Sequence, residues 1–167
     1  IYIADYGNHV IRKVNTDGII STIAGTPETS GYSGDGDVAT SAKLYLPSSV
    51  NIDNAGNIYI GDTYNYAIRK VWKNGIITTI AGTGTSGYSA SDSIAVSTNL
   101  STLWGTAIDN LNNVYISEYS NNIIRKVDAY YHTLTGTPTN SDVGSTTMTL
   151  TASDDQGGGA TQDFVIK

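Results

Sequence analysis

The sequence predicts an all-β chain built as an array of small four-stranded antiparallel blades. Three observations carry that expectation. A fourteen-residue phrase recurs three times: Ile-Tyr-Ile-Ala-Asp-Tyr-Gly-Asn-His-Val-Ile-Arg-Lys-Val from Ile1, Ile-Tyr-Ile-Gly-Asp-Thr-Tyr-Asn-Tyr-Ala-Ile-Arg-Lys-Val from Ile58, and Val-Tyr-Ile-Ser-Glu-Tyr-Ser-Asn-Asn-Ile-Ile-Arg-Lys-Val from Val114. The starts at 1, 58 and 114 set a period of 57 and then 56 residues. A fixed period of that size marks stacked units, each too small to bury its apolar surface alone. Third, β-branched and aromatic residues dominate, Gly recurs every few positions, and no stretch holds a helical period.

The middle repeat is complete. Pro47–Asp53 alternates around Val50 and Ile52 and reads as a first strand. Asn54-Ala-Gly56 is a tight turn, because Asn and Gly tolerate the positive φ that such turns require. Asn57–Asp62 makes the second strand and Ala67–Trp72 the third. Lys73-Asn-Gly75 turns the chain into a fourth, Ile76–Ala81, ended by Gly82. Apolar or aromatic groups fall on both faces of each strand, Ile58 and Ile60 on one side and Tyr59 on the other. A sheet of this kind needs cover on both faces, as blades packed radially around an axis provide. The expected architecture is therefore a partial β-propeller of about three blades.

Blade one spans 1–26 and begins at its second strand. Blade two spans 47–82 and blade three 103–135, the latter closing at Tyr131–Pro138, which echoes Ser21–Pro27. Linkers 27–46 and 83–102 lengthen the period beyond the ~40–45 residues of an ordinary propeller blade. Each contains Ser-Gly-Tyr-Ser, at 30–33 and 86–89. The recurring loop is expected to project from one rim and to carry the binding surface. Three blades do not close a ring, so a piece of a larger propeller is expected, with the parent's remaining blades as its neighbours. From 136 to 167 the text changes to alternation in Met148, Leu150 and Ala152, a Gly-rich turn, and a second run through Phe164 and Ile166. That is a β-hairpin.

Composition excludes several classes. The longest apolar runs fall far short of the ~20 residues of a membrane helix, so no membrane insertion is expected. Net charge is −6, and six of the nine basic residues lie in the three Arg-Lys pairs, leaving no basic patch for nucleic acid. The absence of cysteine removes disulfides and thiolate metal sites. The chain opens on Ile1 inside a repeat, so the lack of a visible targeting signal says nothing of compartment.

The phrase Asn8-His9-Val10 followed by Ile-Arg-Lys-Val, with Ala55-Gly-Asn-Ile-Tyr-Ile60 in the second copy, resembles the NHL-repeat family. That family is named after an Asn-His-Leu triplet, and the resemblance implies propellers of about six blades. The later copies depart from the triplet, as Asn65-Tyr66-Ala67 and Asn121-Asn122-Ile123. Leu46-Pro47-Ser-Ser-Val50 and Ser30–Gly36 are similar to members from secreted or surface proteins, which implies an extracellular or cell-surface location. The tail resembles the closing strands of cadherin-like or Ig-type modules of bacterial surface proteins, through Gly136-Thr-Pro-Thr-Asn-Ser-Asp-Val-Gly144.

An acid and an arginine recur seven residues apart: Asp5 and Arg12, Asp62 and Arg69, Glu118 and Arg125. Adjacent strands bring such a pair together as a charge-assisted hydrogen bond. A group needed once per blade is scaffold, so these are read as structural ion pairs. Asn8, Asn65 and Asn121 are read as turn residues, and Tyr2, Tyr59 and Tyr115 as inter-blade packing. Candidate binding residues are Tyr32, Asp35, Asp37, Tyr88 and Asp92 on the linkers. Asp35 and Asp37 alternate as Ca²⁺ ligands can, yet lack the further acids such a loop needs. No cofactor or metal is therefore expected. His9 and His132 have no sequence neighbours pointing to catalysis.

The expected function is a non-enzymatic scaffold that binds protein or carbohydrate through the linker rim. The alternative is part of a propeller enzyme of lyase or lactonase type, which requires Asn51, Asp53 and Asp109 to converge near the axis.

Overall fold

The computed structural model describes residues 1–90, 93–129, 146–153 and 159–166, the last two spans by their backbone pairing. Two compact units divide the chain, Ile1–Tyr131 and His132–Lys167.

The first unit holds the blades. Strands β1 (Tyr2–Asp5), β2 (Val10–Val14) and β3 (Ile20–Ala24) form one antiparallel sheet. Strands β4 (Ser49–Ile52), β5 (Ile58–Asp62), β6 (Ala67–Val71) and β7 (Ile77–Ala81) form the four-stranded second. The third contains β8 (Leu103–Ile108), β9 (Val114–Glu118) and β10 (Ile123–Val127). The strand expected near 131–138 lies outside the described residues. The chain is all-β, with antiparallel sheets of the blade type.

Local chemistry sets the turns. The β4–β5 hairpin closes with Gly56 at φ +92°, and its counterpart in blade three uses Asn112 at φ +65°. Asp53 caps its turn by accepting the amides of Ala55 and Asn57 at 3.0 and 2.8 Å. Asp109 repeats this with Leu111 and Asn113, both at 2.9 Å. The second and third strands of blades one and two are joined by 3-10 turns, Tyr6–Asn8 and Thr63–Asn65, and those of blade three by a turn over residues 119–122. Antiparallel alternation puts these turns on the rim where the linkers run, and the tight hairpins on the opposite one.

Two apolar clusters hold the blades side by side. One joins Ile11 and Ala24 of blade one to Ile60, Val71 and Ile77 of blade two. The other joins Tyr59, Ile68 and Ala81 of blade two to Leu103, Val114 and Ile116 of blade three. Alternate residues of β5 thus face opposite neighbours, Ile60 one way and Tyr59 the other. Each fully buried aliphatic side chain contributes about 1.5–3 kcal/mol relative to exposure. Near the axis, Asn51 Nδ2 donates to the Thr106 carbonyl and hydroxyl at 2.9 and 2.7 Å, tying β4 to β8.

Where the linkers were expected to project from the rim, parts of both are packed between the blades, while Tyr88 and Ile94 of the second stay exposed. Ala39, Ala42 and Leu44 of the first linker are buried inside the first cluster, between the blades, and Leu100 of the second takes the same place in the next. Backbone bonds seat the first linker on β7: Gly36 N to Ile77 O at 2.9 Å, Ile77 N to Asp37 O at 3.0 Å, and Ala39 N to Gly75 O at 2.8 Å. Burying small apolar residues between two sheets outweighs leaving them in water, so the loop folds down.

The second unit shows a hairpin, β11 (Thr146–Ser153) paired with β12 (Gly159–Ile166), with Met148 opposite Phe164.

Candidate functional site

The acid–arginine pairs belong to larger constellations that grip the linkers. In blade two, Arg69 Nη1 donates to Asp62 Oδ2 at 3.2 Å. Its Nη2 donates to the Ser33 carbonyl at 3.0 Å and to Asp35 Oδ1 at 2.7 Å. The guanidinium lies over the Tyr32 ring, 5.0 Å from its centroid, and the Tyr32 hydroxyl meets Thr79 Oγ1 at 3.0 Å. Asn65 Nδ2 donates to Asp62 Oδ2 at 2.8 Å and to the Gly31 carbonyl at 2.6 Å. Asp62 Oδ1 accepts the Tyr45 amide at 2.7 Å. Both ends of one linker are therefore held by three side chains of the blade it enters.

Arg69 and Asp62 side chains are fully buried. Burial pushes the Asp62 carboxyl up to about 6, against Asn65, the Tyr45 amide and Arg69, which hold it down. Arg69 Nε has no hydrogen-bond partner. In the other two blades that nitrogen is the one bonded to the acid. Arg69 instead reaches Asp62 through Nη1 and the linker's Ser33 carbonyl and Asp35 carboxylate through Nη2.

Blade three repeats the grip. Arg125 pairs with Glu118 and donates from Nη2 to the Ser89 carbonyl at 2.6 Å, and its guanidinium lies 5.4 Å from the Tyr88 centroid. Asn121 Nδ2 donates to Glu118 Oε2 at 2.6 Å and to the Gly87 carbonyl at 3.1 Å. Glu118 Oε2 accepts the Ser101 amide at 2.8 Å. Blade one has the same side chains without a linker: Arg12 Nε to Asp5 Oδ2 at 2.9 Å and Asn8 Nδ2 to Asp5 Oδ1 at 2.8 Å. The Asn8 bond, then that of Arg12, holds the Asp5 carboxyl below its ordinary range.

Among the linker candidates, Tyr32 and Asp35 are thus engaged with Arg69, and Asp37 uses its backbone on β7. Tyr88 stays largely exposed beside Arg125, and Asp92 lies outside the described residues. The described residues contain no cluster of three or more metal-ligating side chains. Asn51, Asp53 and Asp109 do not converge on one point. Asn51 ties two inner strands, while each Asp caps its own hairpin and also accepts a tyrosine hydroxyl, Tyr59 or Tyr115, at 3.2 Å. Burial first, then Asp53, pushes the Tyr59 phenol well above its ordinary pKa. His9 Nδ1 accepts the Leu46 amide at 3.2 Å, so the ring serves to hold the end of the first linker. His132 lies outside the described residues. A cleft of about 410 Å³ lined by Tyr88, Leu100, Ile123, Arg125 and Val127 stands beside β10.

Sequence reasoning missed an aromatic group on the linker rim. His9 meets Tyr45 edge to face at 5.6 Å, and Tyr45 meets Tyr64 at 5.4 Å. Tyr6 stands beside them: desolvation, then Tyr64, raises its phenol above the ordinary pKa. All three tyrosines remain part-exposed. They come from the turn of blade one, the end of the first linker and the turn of blade two.

Fold and grip together define a run of NHL-type propeller blades with a linker clasped at each junction. The chain belongs to the teneurin NHL domain family, whose model matches residues 25–156. Mouse teneurin-1 is 38% identical over 73 residues, covering 38% of this chain and 3% of teneurin-1. The Arabidopsis thaliana protein SUPPRESSOR OF QUENCHING 1, chloroplastic, is 33% identical over 136 residues, 76% of this chain and 12% of that protein. This chain thus spans a small part of the relatives it matches. A Bacteroides thetaiotaomicron protein of unknown function has a similar solved structure, with TM-score 0.67, 23% identity, and coverage of 75% of this chain and 31% of that one.

Proposed function

We propose that the chain is part of a non-enzymatic interaction domain of a cell-surface or secreted protein. Its binding face is the linker rim at the blade one–blade two junction. The Tyr6, Tyr45 and Tyr64 group carries this reading. Part-exposed tyrosines held by neighbours supply large contact area with little rotamer entropy left to lose, and such residues anchor protein interfaces. Family membership and the likeness of the linkers to secreted or surface NHL proteins support the compartment. The chloroplast relative shows that the scaffold is not confined to one. The polar groups that recur in every blade are engaged in holding linkers and turns, which favours scaffold over catalyst. The hairpin β11–β12 is assigned in this reading to the end of an Ig-type module following the blades.

The test is a screen of the multimerised chain against arrayed extracellular proteins and glycans. A variant with Tyr6, Tyr45 and Tyr64 each changed to Ser runs beside it. A protein partner lost by the variant, whose melting curve is unchanged, supports the proposal. A partner retained by the variant removes the rim assignment, and binding to glycans alone replaces a protein partner with a carbohydrate.

A further inference from the structure

We infer that Asn99 is an acceptor for an N-linked oligosaccharide, carried by the second linker where blades two and three meet. The inference rests on the secreted or cell-surface reading above, because only a chain entering the secretory compartment meets the transferring enzyme. Asn99-Leu100-Ser101 is an Asn-x-Ser acceptor triplet, and no other Asn of the chain is followed two residues later by Ser or Thr. Its counterpart 56 residues earlier, Lys43-Leu44-Tyr45, has neither the Asn nor the Ser. A triplet present in one linker alone is not demanded by the repeat.

Three observations on the folded chain fit a sugar at this residue. Thr98 and Leu100 are buried at 5% and 1% exposure, and Asn99 between them is only half-buried. Leu100 anchors the segment in the core and accepts the Gly87 amide at 3.0 Å. Next, the two polar atoms of the Asn99 amide are divided as a substituted asparagine requires. Oδ1 accepts the Thr83 hydroxyl at 2.6 Å, and Nδ2 donates to no group among the described residues. Among those residues Arg69 Nε is the only buried side-chain nitrogen or oxygen without a partner, so Asn99 Nδ2 is open to water. A sugar on Nδ2 therefore displaces no hydrogen bond and leaves the one from Thr83 intact. Finally, there is room. The Asn99 side chain lies across Gly87, where a Cβ would stand 3.3 Å from Nδ2. Lys43 lies across Gly31 in the same way and is exposed, so this position already accommodates a longer side chain.

The donor class is an oligosaccharide held on a lipid diphosphate. Nδ2 bonds to the anomeric carbon, and the bond from that carbon to the diphosphate oxygen breaks. The lipid diphosphate leaves with the electron pair, and one Nδ2 proton passes to solvent. Leu100 and Ser101 are buried in the finished fold, so transfer precedes folding. The open Nδ2 then lets the linker close between the blades with the sugar outside.

The test translates the full 167-residue chain, joined behind a signal peptide, with microsomes that carry the transferase. One oligosaccharide per chain is expected, removed by an amidase that leaves Asp at position 99 in peptide mass spectra. Asn99→Gln and Ser101→Ala each lose the added mass, and Ser101→Thr keeps it. A lumenal chain without sugar, or sugar that survives Asn99→Gln, overturns the inference. Thermal melts of the sugar-bearing chain and of Asn99→Gln, both from secreting cells, are expected to coincide. A sugar-bearing chain that melts far lower also overturns it, since the fold then excludes the sugar. The signal peptide imposes the compartment, so these failures belong to the site. Sugar at Asn99 here, with the residue bare in the protein from its natural source, instead overturns the secreted reading.

Discussion

Blades one and two carry the same three side chains 57 residues apart, and their surroundings give them different weights. Asp5 and Arg12 keep 27% and 28% of their side-chain surface in water, whereas Asp62 and Arg69 keep none. The difference is one linker. Where Gly31–Asp35 lies across the pair, water is excluded and the ion pair becomes a clasp holding two distant segments. Without that cover it is an ordinary surface pair. Burial, more than the identity of the pair, decides how much such a contact matters.

The most severe way to probe this contrast is to remove each arginine. Arg69→Ala leaves Asp62 buried and releases Ser33 and Asp35, so a loss of about 3–5 kcal/mol is expected. Arg12→Ala in the same chain is expected to cost about 1 kcal/mol or less. Urea denaturation of both variants measures the gap, and equal losses would break the comparison.

Glycine substitutions supply a control in which the linker does not matter. A Cβ on Gly82, at φ +94°, would stand 2.1 Å from the Tyr66 carbonyl oxygen, and one on Gly25, at φ +88°, 2.4 Å from that of His9. Both crowd backbone within their own blade. Gly82→Ala and Gly25→Ala are expected to cost roughly 2–4 kcal/mol each, with little difference between blades. Thermal melts check this.

Titration gives opposite signs at the two acids. The folded Asp62 carboxyl titrates near 6 against 3.8 when unfolded, so it contributes stability below 3.8 that is lost as pH rises through 6. Relative to Asp62→Asn, the native chain should therefore lose stability between pH 4 and pH 7. Asp5 is shifted down, so its contribution is present above 3.8 and fades as pH falls below that. Urea midpoints across this range, for each acid and its Asn variant, are expected to show those opposed slopes.

The smallest expected effect compares blades two and three. Tyr59→Phe removes a buried hydroxyl from Asp53 and should cost about 1 kcal/mol. Tyr115→Phe removes the matching bond of a part-exposed tyrosine to Asp109 and should cost less. Denaturation midpoints order the two.

Strands and turns were legible because their signals are local. Alternation in Ile58-Tyr-Ile60 marks a strand with two covered faces, and Asn54-Ala-Gly56 marks its turn, within a few residues of text. The acid–arginine spacing of seven was legible too, since adjacent antiparallel strands bring such residues diagonally together on one face, Arg69 standing opposite Ile60, two residues from Asp62. The clasp was not read, although its signal was present: Gly31 to Asn65 and Gly87 to Asn121 are each 34 residues apart, and Ser33 to Arg69 and Ser89 to Arg125 are each 36. A constant offset across a long loop reveals a contact only when a packed structure closes the loop. The tyrosine group had less signal still, because Tyr6, Tyr45 and Tyr64 come from three segments with no shared motif.

By itself, then, the sequence determined the blade: its strands, its hairpins, its repeat and the pairing of acid with arginine. These follow from backbone sterics and side-chain alternation over neighbouring residues. Only the tertiary structure decided that the linkers fold inward and that Asp62 and Arg69 are buried beneath one of them. It also decided which tyrosines share a rim. Those outcomes depend on which distant surfaces exclude water together, and that is set by packing between blades.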